Sequence, residues 1–327
     1  MFEFGWDAII QIANRNQQIL EEYSSCHEHH TIVEALLKDI FDVDPYTNPQ
    51  GHRWLDYLIW AHGKLASLPN SHEFPLVYCS FSFLHDDHNG QSYQGNKTKD
   101  DKVPYWSTIH KDWVFLERKV DCDGNDLAMV LEFEKPPYEV IVFCAGESYA
   151  LNENSCAYWM QPTNMFYLSS AMIPKFPIDD FLASFTNTLF HETTHLLDIM
   201  EFRGSDVLPG QKVIDYSEDG DGAYEWKQVK DLAPVVIGHP MSPVGPFHPA
   251  IWNAQSITYF ALILFLVVDG GFTYDGDAGI LLFPSRALPL PKPGHMKEKP
   301  LRKILKELKK KPHVPKKPDY LRAKSHS

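Results

Sequence analysis

His191-Glu192-Thr193-Thr194-His195 is the stretch on which the reading of this chain turns. Residues four apart on a helix stand one above the other, with Cβ atoms about 5–6 Å apart, so both imidazoles can reach one ion. The glutamate between them puts a carboxylate beside that ion, where it can take a proton from water. These residue types at this spacing point to zinc and to metal-assisted hydrolysis of a peptide bond. The flanks fit a helix. Pro177-Ile178-Asp179-Asp180 joins a proline to two capping carboxylates. From Phe181 no proline or glycine follows until Gly204, a suitable stop. Leu182, Phe185, Leu189, Leu196 and Met200 form one apolar stripe. His191 lies about 200° round the helix from Leu189. The expectation is an amphipathic helix whose histidine face lines a cleft.

Catalytic zinc usually takes three protein ligands and leaves one place open. The metzincin arrangement, with a glycine and a third histidine soon after the second, meets Asp198 and Glu201 here and fails. A gluzincin arrangement would draw on Glu218 or Glu225. The better fit is Asp219-Gly220-Asp221-Gly222-Ala223-Tyr224-Glu225-Trp226. Its D-x-x-Y at Asp221 and Tyr224 resembles the aspzincin metalloendopeptidases, which include deuterolysins and peptidyl-Lys metalloendopeptidases. Asn253-Ala254-Gln255-Ser256-Ile257-Thr258-Tyr259-Phe260-Ala261 resembles that family's NADSYxxFA helix. The motifs run in the family's order over residues 181–268. Three departures stand out. Ser217-Glu218 replaces Gly-Thr, Glu225 replaces the glycine after the tyrosine, and Gln255 replaces an aspartate.

The resemblance implies an α+β, zincin-like, two-lobed fold with an active-site helix and a helical C-terminal lobe. It implies a zinc endopeptidase acting on protein or peptide substrates. His191, His195 and Asp221 would be the ligands, with Asp219 able to substitute for Asp221. Glu192 would be the general base, and Tyr224 would donate to the oxyanion. The alternative is a catalytically weakened relative that binds metal or peptide without turnover.

Composition narrows the partners. Residues 284–327 carry 14 Lys/Arg against 3 Asp/Glu, whereas residues 1–283 carry 16 against 40. A body this acidic does not attract nucleic acid through its overall field. The basic tail holds Leu301, Ile304, Leu305 and Leu308 at helical spacing. Its prolines and lysines read better as a solvated segment than as a membrane-surface helix. The longest apolar run, 260–268, falls far short of the roughly 20 residues that cross a bilayer. Residues 1–7 do not read as a signal peptide, whereas the family resemblance implies an extracellular protein. The five cysteines form no CxxC, against a zinc ribbon or a thioredoxin-type site. Cys144 and Cys156 flank a loop that a disulfide could close, the other reading being free buried thiols. Nothing in the residues speaks to oligomeric state.

Along the chain, helices are expected over 6–24 and 53–68. Strands are expected at 76–83, 113–120, 128–133 and 138–143, each rich in β-branched or aromatic residues. Residues 85–103 read as a polar loop. Two other histidine clusters, at 26–30 and 85–88, read as solvated loop residues. The divisions drawn are an N-terminal helical segment (1–70), a zincin-like catalytic domain (71–283) and a basic tail (284–327).

Overall fold

The N-terminal third is helical because its apolar residues recur every three or four positions. In a computed structural model, α1 spans Phe2–Cys26 and buries Ile9, Ile12, Ala13, Ile19, Leu20 and Tyr23. Helix α2 (His30–Phe41) buries Val33, Leu36, Leu37, Ile40 and Phe41. No helix was expected here, although its apolar spacing is regular. Helix α3 (Pro49–Ala66) starts on a proline, whose missing N–H costs nothing in a first turn. The structure describes residues 2–26, 29–47, 49–68, 75–78, 81–94, 102–117, 119–120, 128–144, 175–181, 185–196, 213–216, 222–236 and 249–282. The basic tail lies outside them.

The strands follow as β1 (Leu76–Tyr78), β2 (Leu84–His85), β3 (Asp87–His88), β4 (Gln91–Ser92), β5 (Val103–Ser107), β6 (Asp112–Leu116), β7 (Ala128–Glu132), β8 (Glu139–Phe143) and β9 (Lys175–Pro177). A 3₁₀ turn at Ile178–Phe181 leads toward α4 (Phe185–Thr194), which carries the paired histidines. Then come α5 (Trp226–Leu232), a 3₁₀ turn at Pro249–Trp252, α6 (Ala254–Val268), β10 (Thr273–Asp275) and β11 (Ile280–Leu282). The chain is therefore α+β.

A central sheet separates two cores. Strand β8 lies between β1, to which it is parallel, and β7, to which it is antiparallel. All five of its residues are buried, as a strand covered on both faces must be. Ile141 and Phe143 face the helices, whereas Val140 and Val142 face a second apolar cluster. That second cluster is closed by the antiparallel sheet β2-β5-β6 through Leu84, Tyr105, Val114 and Leu116. A third sheet, β10-β11-β9, ties residues 175–177 to the C-terminal hairpin.

The helices of residues 1–70 do not form a core of their own. They share one cluster with Leu189 and Phe190 of α4 and with nearly every residue of α6, and Met1–Phe283 forms one compact unit. Asn16 Nδ2 donates to Ala261 O at 2.8 Å in the buried seam between α1 and α6. The Arg15–Asp269 ion pair nearby is a third exposed, and such pairs contribute about 0–1 kcal/mol. Apolar burial and the Asn16 bond therefore fasten these helices.

Two expectations are corrected. Strand β1 covers Leu76–Tyr78 of the expected strand 76–83, and Leu84 N→Phe81 O (2.8 Å) closes a turn over its end. The 85–103 stretch is not all loop. It holds a β3–β4 hairpin turning on Asn89-Gly90, both with positive φ (56° and 74°), as a two-residue hairpin turn requires. The Asn-Gly pair was its signal in the sequence. Among the described residues, no helix is long and apolar enough to cross a membrane.

Candidate metal centre

Helix α4 is buried on every side rather than amphipathic. Thr186, Asn187, Thr188, Thr193 and Thr194 are buried along with Leu189 and Phe190, because α1, α6 and β7 all pack against the helix. Its polar side chains are admitted because they are bonded. Thr193 Oγ1 donates to Leu189 O (2.6 Å) and Thr194 Oγ1 to His191 O (2.7 Å). The expected run to Gly204 is shorter. Bonds His195 N→Glu192 O and Leu196 N→Thr193 O tighten the last turn, and the α-helix ends at Thr194. Residues 197–212 lie outside the described residues, as do the side chains of Leu182 and Phe185 and, further on, Met200.

The two imidazoles meet as the motif requires. His191 Nε2 and His195 Nε2 are 3.2 Å apart, and both residues are buried. The carboxylate brought to them is that of Asp215, a residue the sequence analysis did not consider. Asp215 Oδ1 lies 3.0 Å from His191 Nε2 and 3.3 Å from His195 Nε2. Among the described residues this trio is the one group of histidines and carboxylates poised to hold a metal. Asp221, the favoured third ligand, and its alternates Asp219 and Glu218 lie outside the described residues. Glu225, the other alternate, is the N-cap of α5 and is exposed.

Asp215 is held from both sides by the start of α6. Ile214 forms a parallel bridge to Asn253, with Ile214 N→Trp252 O at 2.8 Å and Ala254 N→Ile214 O at 3.0 Å. Tyr216 N donates to Asn253 Oδ1 at 3.1 Å. Asn253 Nδ2 donates to Ala223 O and to Ser256 Oγ, each at 3.0 Å. The Asn253–Ala261 segment singled out in the sequence thus anchors, through Asn253, the stretch that carries Asp215 and the approach to Tyr224.

The outer nitrogens of the imidazoles fix their tautomers. His195 Nδ1 faces Val213 O at 2.8 Å and His191 Nδ1 faces Gln255 Oε1 at 3.0 Å. Both partners are oxygens that only accept, so each Nδ1 carries a hydrogen. In the neutral rings, each Nε2 lone pair then points at the other and at Asp215 Oδ1. Three acceptors converging on one point repel unless a cation or proton lies between them. Zinc ligands at about 2.0–2.1 Å in a tetrahedron lie about 3.3 Å apart, and the observed edges are 3.0, 3.2 and 3.3 Å. The donor set and its dimensions fit zinc.

Glu192 is buried and near enough for its charge to act on His195. Tyr224 packs its ring 5.8 Å from that of His191 and is 37% exposed. It lies over Gly222, whose φ is +76° and where a Cβ would fall 2.4 Å from the Tyr224 ring. Only glycine serves there. Solvent reaches the cluster on the Asp215 and Tyr224 side, the Asp215 side chain being 32% exposed.

The charges are strongly coupled. Burial disfavours charged His195, but the hydrogen bond and charge of Asp215, with the charge of Glu192, outweigh it and raise its pKa to about 9. Burial also works against ionised Asp215, yet the neighbouring histidine pair, through hydrogen bonding and positive charge when protonated, holds it far below the usual carboxylate range. The metal-free pair therefore stabilises the fold most between roughly pH 4 and 6.5. The Asp215 contribution fades as pH falls below that window, and the His195 contribution fades as pH rises through about 9. Zinc needs a neutral imidazole, so uptake below about pH 9 expels the His195 proton. Apparent zinc affinity, followed by chelator competition, is expected to rise about tenfold per pH unit from 6.5 to 8.5, as release of one proton demands. A flat profile would contradict this.

No family model, curated protein or solved structure matches the chain.

Proposed function

We propose that this protein is a zinc-dependent endopeptidase of zincin-like, two-lobed build, related to the aspzincins. The observation that carries the reading is the His191–His195–Asp215 trio at tetrahedral spacing, with Glu192 on the same helix. Zinc, when bound, supplies a Lewis acid that polarises the scissile carbonyl and makes water nucleophilic near neutral pH. His191 and His195 would hold it through Nε2, and Asp215 would hold it through Oδ1. Glu192 takes a proton from the attacking water and passes it to the leaving amine. Tyr224 donates to the carbonyl oxygen as that atom gains charge. The substrate approaches past Tyr224 and Asp215, on the solvent side of the cluster. Cys144 is disulfide-bonded, which supports an oxidising, extracellular setting. Its partner lies outside the described residues, where Cys156, the expected one, also falls.

The test is cleavage of a denatured protein by the purified chain. Loss with a chelator and recovery with Zn²⁺ are expected. Cleavage that persists in chelator would exclude the metal mechanism, and metal binding without cleavage would leave only the binding reading.

A further inference from the structure

The histidine that opens the motif is held by an amide, and this has chemical consequences. His191 Nδ1 donates to Gln255 Oε1 at 3.0 Å, and Gln255 Nε2 donates to Asn187 Oδ1 at 3.0 Å, both bonds buried. Gln255 is 1% exposed and lies in the first turn of α6. Its two polar atoms are thus oriented in opposite senses: the oxygen takes the hydrogen of His191, and the nitrogen is committed to the residue one helical turn earlier on α4. An amide flip would break both bonds. We propose that Gln255 is the positioning residue for His191. It selects the tautomer with a free Nε2 lone pair and does so without adding a negative charge. This inference rests on the metal reading above.

A neutral amide suits the charge already present. Asp215 and Glu192 already place two carboxylates at the centre, one against the ligand nitrogens and one electrostatically coupled to His195. Together they offset a divalent cation. A carboxylate at 255 would make the assembly net negative and weaken the electrophile, while making the His191 nitrogen a better donor. The amide orients the ring without that shift. The same helical turn registers the rest of the site. Asn253, two residues earlier, holds Tyr216 N beside Asp215 and Ala223 O beside Tyr224. One rigid, buried helix therefore sets the imidazole against the carboxylate.

The experiment compares wild type, Gln255→Met, Gln255→Glu and His195→Ala by zinc competition against a chromogenic chelator. The His191 Nδ1 proton is followed by NMR in the metal-loaded forms. Gln255→Met keeps the volume and removes the acceptor, so zinc affinity should fall about 10–100-fold and the downfield Nδ1 proton should be lost. Gln255→Glu keeps the acceptor and adds charge, so zinc should bind at least as tightly as in wild type, with the proton retained. Both variants lose the donor to Asn187, so both should melt earlier, and packing alone would weaken zinc equally in the two. Equal weakening, or Gln255→Met within twofold of wild type, overturns the assignment. If wild type binds no more zinc than His195→Ala, the metal reading itself falls. If wild type binds and Gln255→Met is unaffected, only the role of Gln255 falls.

Discussion

Asp215→Asn is expected to reduce zinc affinity more than any supporting residue would, beyond the roughly 10–100-fold that loss of an outer hydrogen bond costs a metal site. The substitution preserves shape and removes charge. Asp215 Oδ1 is the one carboxylate oxygen within 3.0–3.3 Å of both ring nitrogens among the described residues. An amide there offers a weaker neutral oxygen and can turn its NH₂ toward the cluster. The metal-free protein changes too, because the carboxylate that raises the His195 pKa is gone and burial then favours the neutral ring. Asp221→Asn and Asp219→Asn are expected to stay within a few-fold of wild type. Chelator competition on the three variants decides the ligand. A larger loss in Asp221→Asn than in Asp215→Asn would move the assignment back to the residue favoured by the D-x-x-Y pattern.

Glu192→Gln is expected to leave zinc content unchanged and lower turnover by about 10²–10⁴-fold, the usual contribution of a positioned general base. Its carboxylate is buried and acts on the site through charge rather than as one of the converging ligand atoms. The amide of glutamine fills the same space and cannot accept the proton. Metal analysis beside single-turnover cleavage separates the two effects. Wild-type turnover in this variant would end the proposed mechanism, and loss of zinc would show that Glu192 holds the ion.

How legible was all this? The histidine pair was readable because i and i+4 meet on any helix, whatever surrounds it. Strands β7 and β8 were readable because five-residue runs such as Glu139–Phe143 carry their own β-branched and apolar pattern. Helix α2 and the Asn89-Gly90 hairpin were equally local, and their signals were in the chain but passed over. Asp215 was different. It lies 20 residues beyond His195, in a stretch with no motif of its own, and contacts made by its neighbours with Asn253 and His195 bring it to the ring nitrogens. Gln255 was noticed only as a departure from a pattern, and its bond to His191 spans 64 residues. The burial of α4 on all sides was hidden as well, because threonines that bond back to their own helix look like surface residues in a sequence.

Residue chemistry at short range therefore determined the kind of site: two imidazoles, an adjacent carboxylate, and the helix that spaces them. Which third carboxylate completes the trio, which oxygen orients each ring, and how far the cluster lies from solvent were decided by packing of α6 against α4 and the 213–216 segment. Helical periodicity is set by backbone hydrogen bonds four residues apart and can be counted along the chain. Contacts between elements depend on how buried faces fit together, and no spacing in the sequence records that fit.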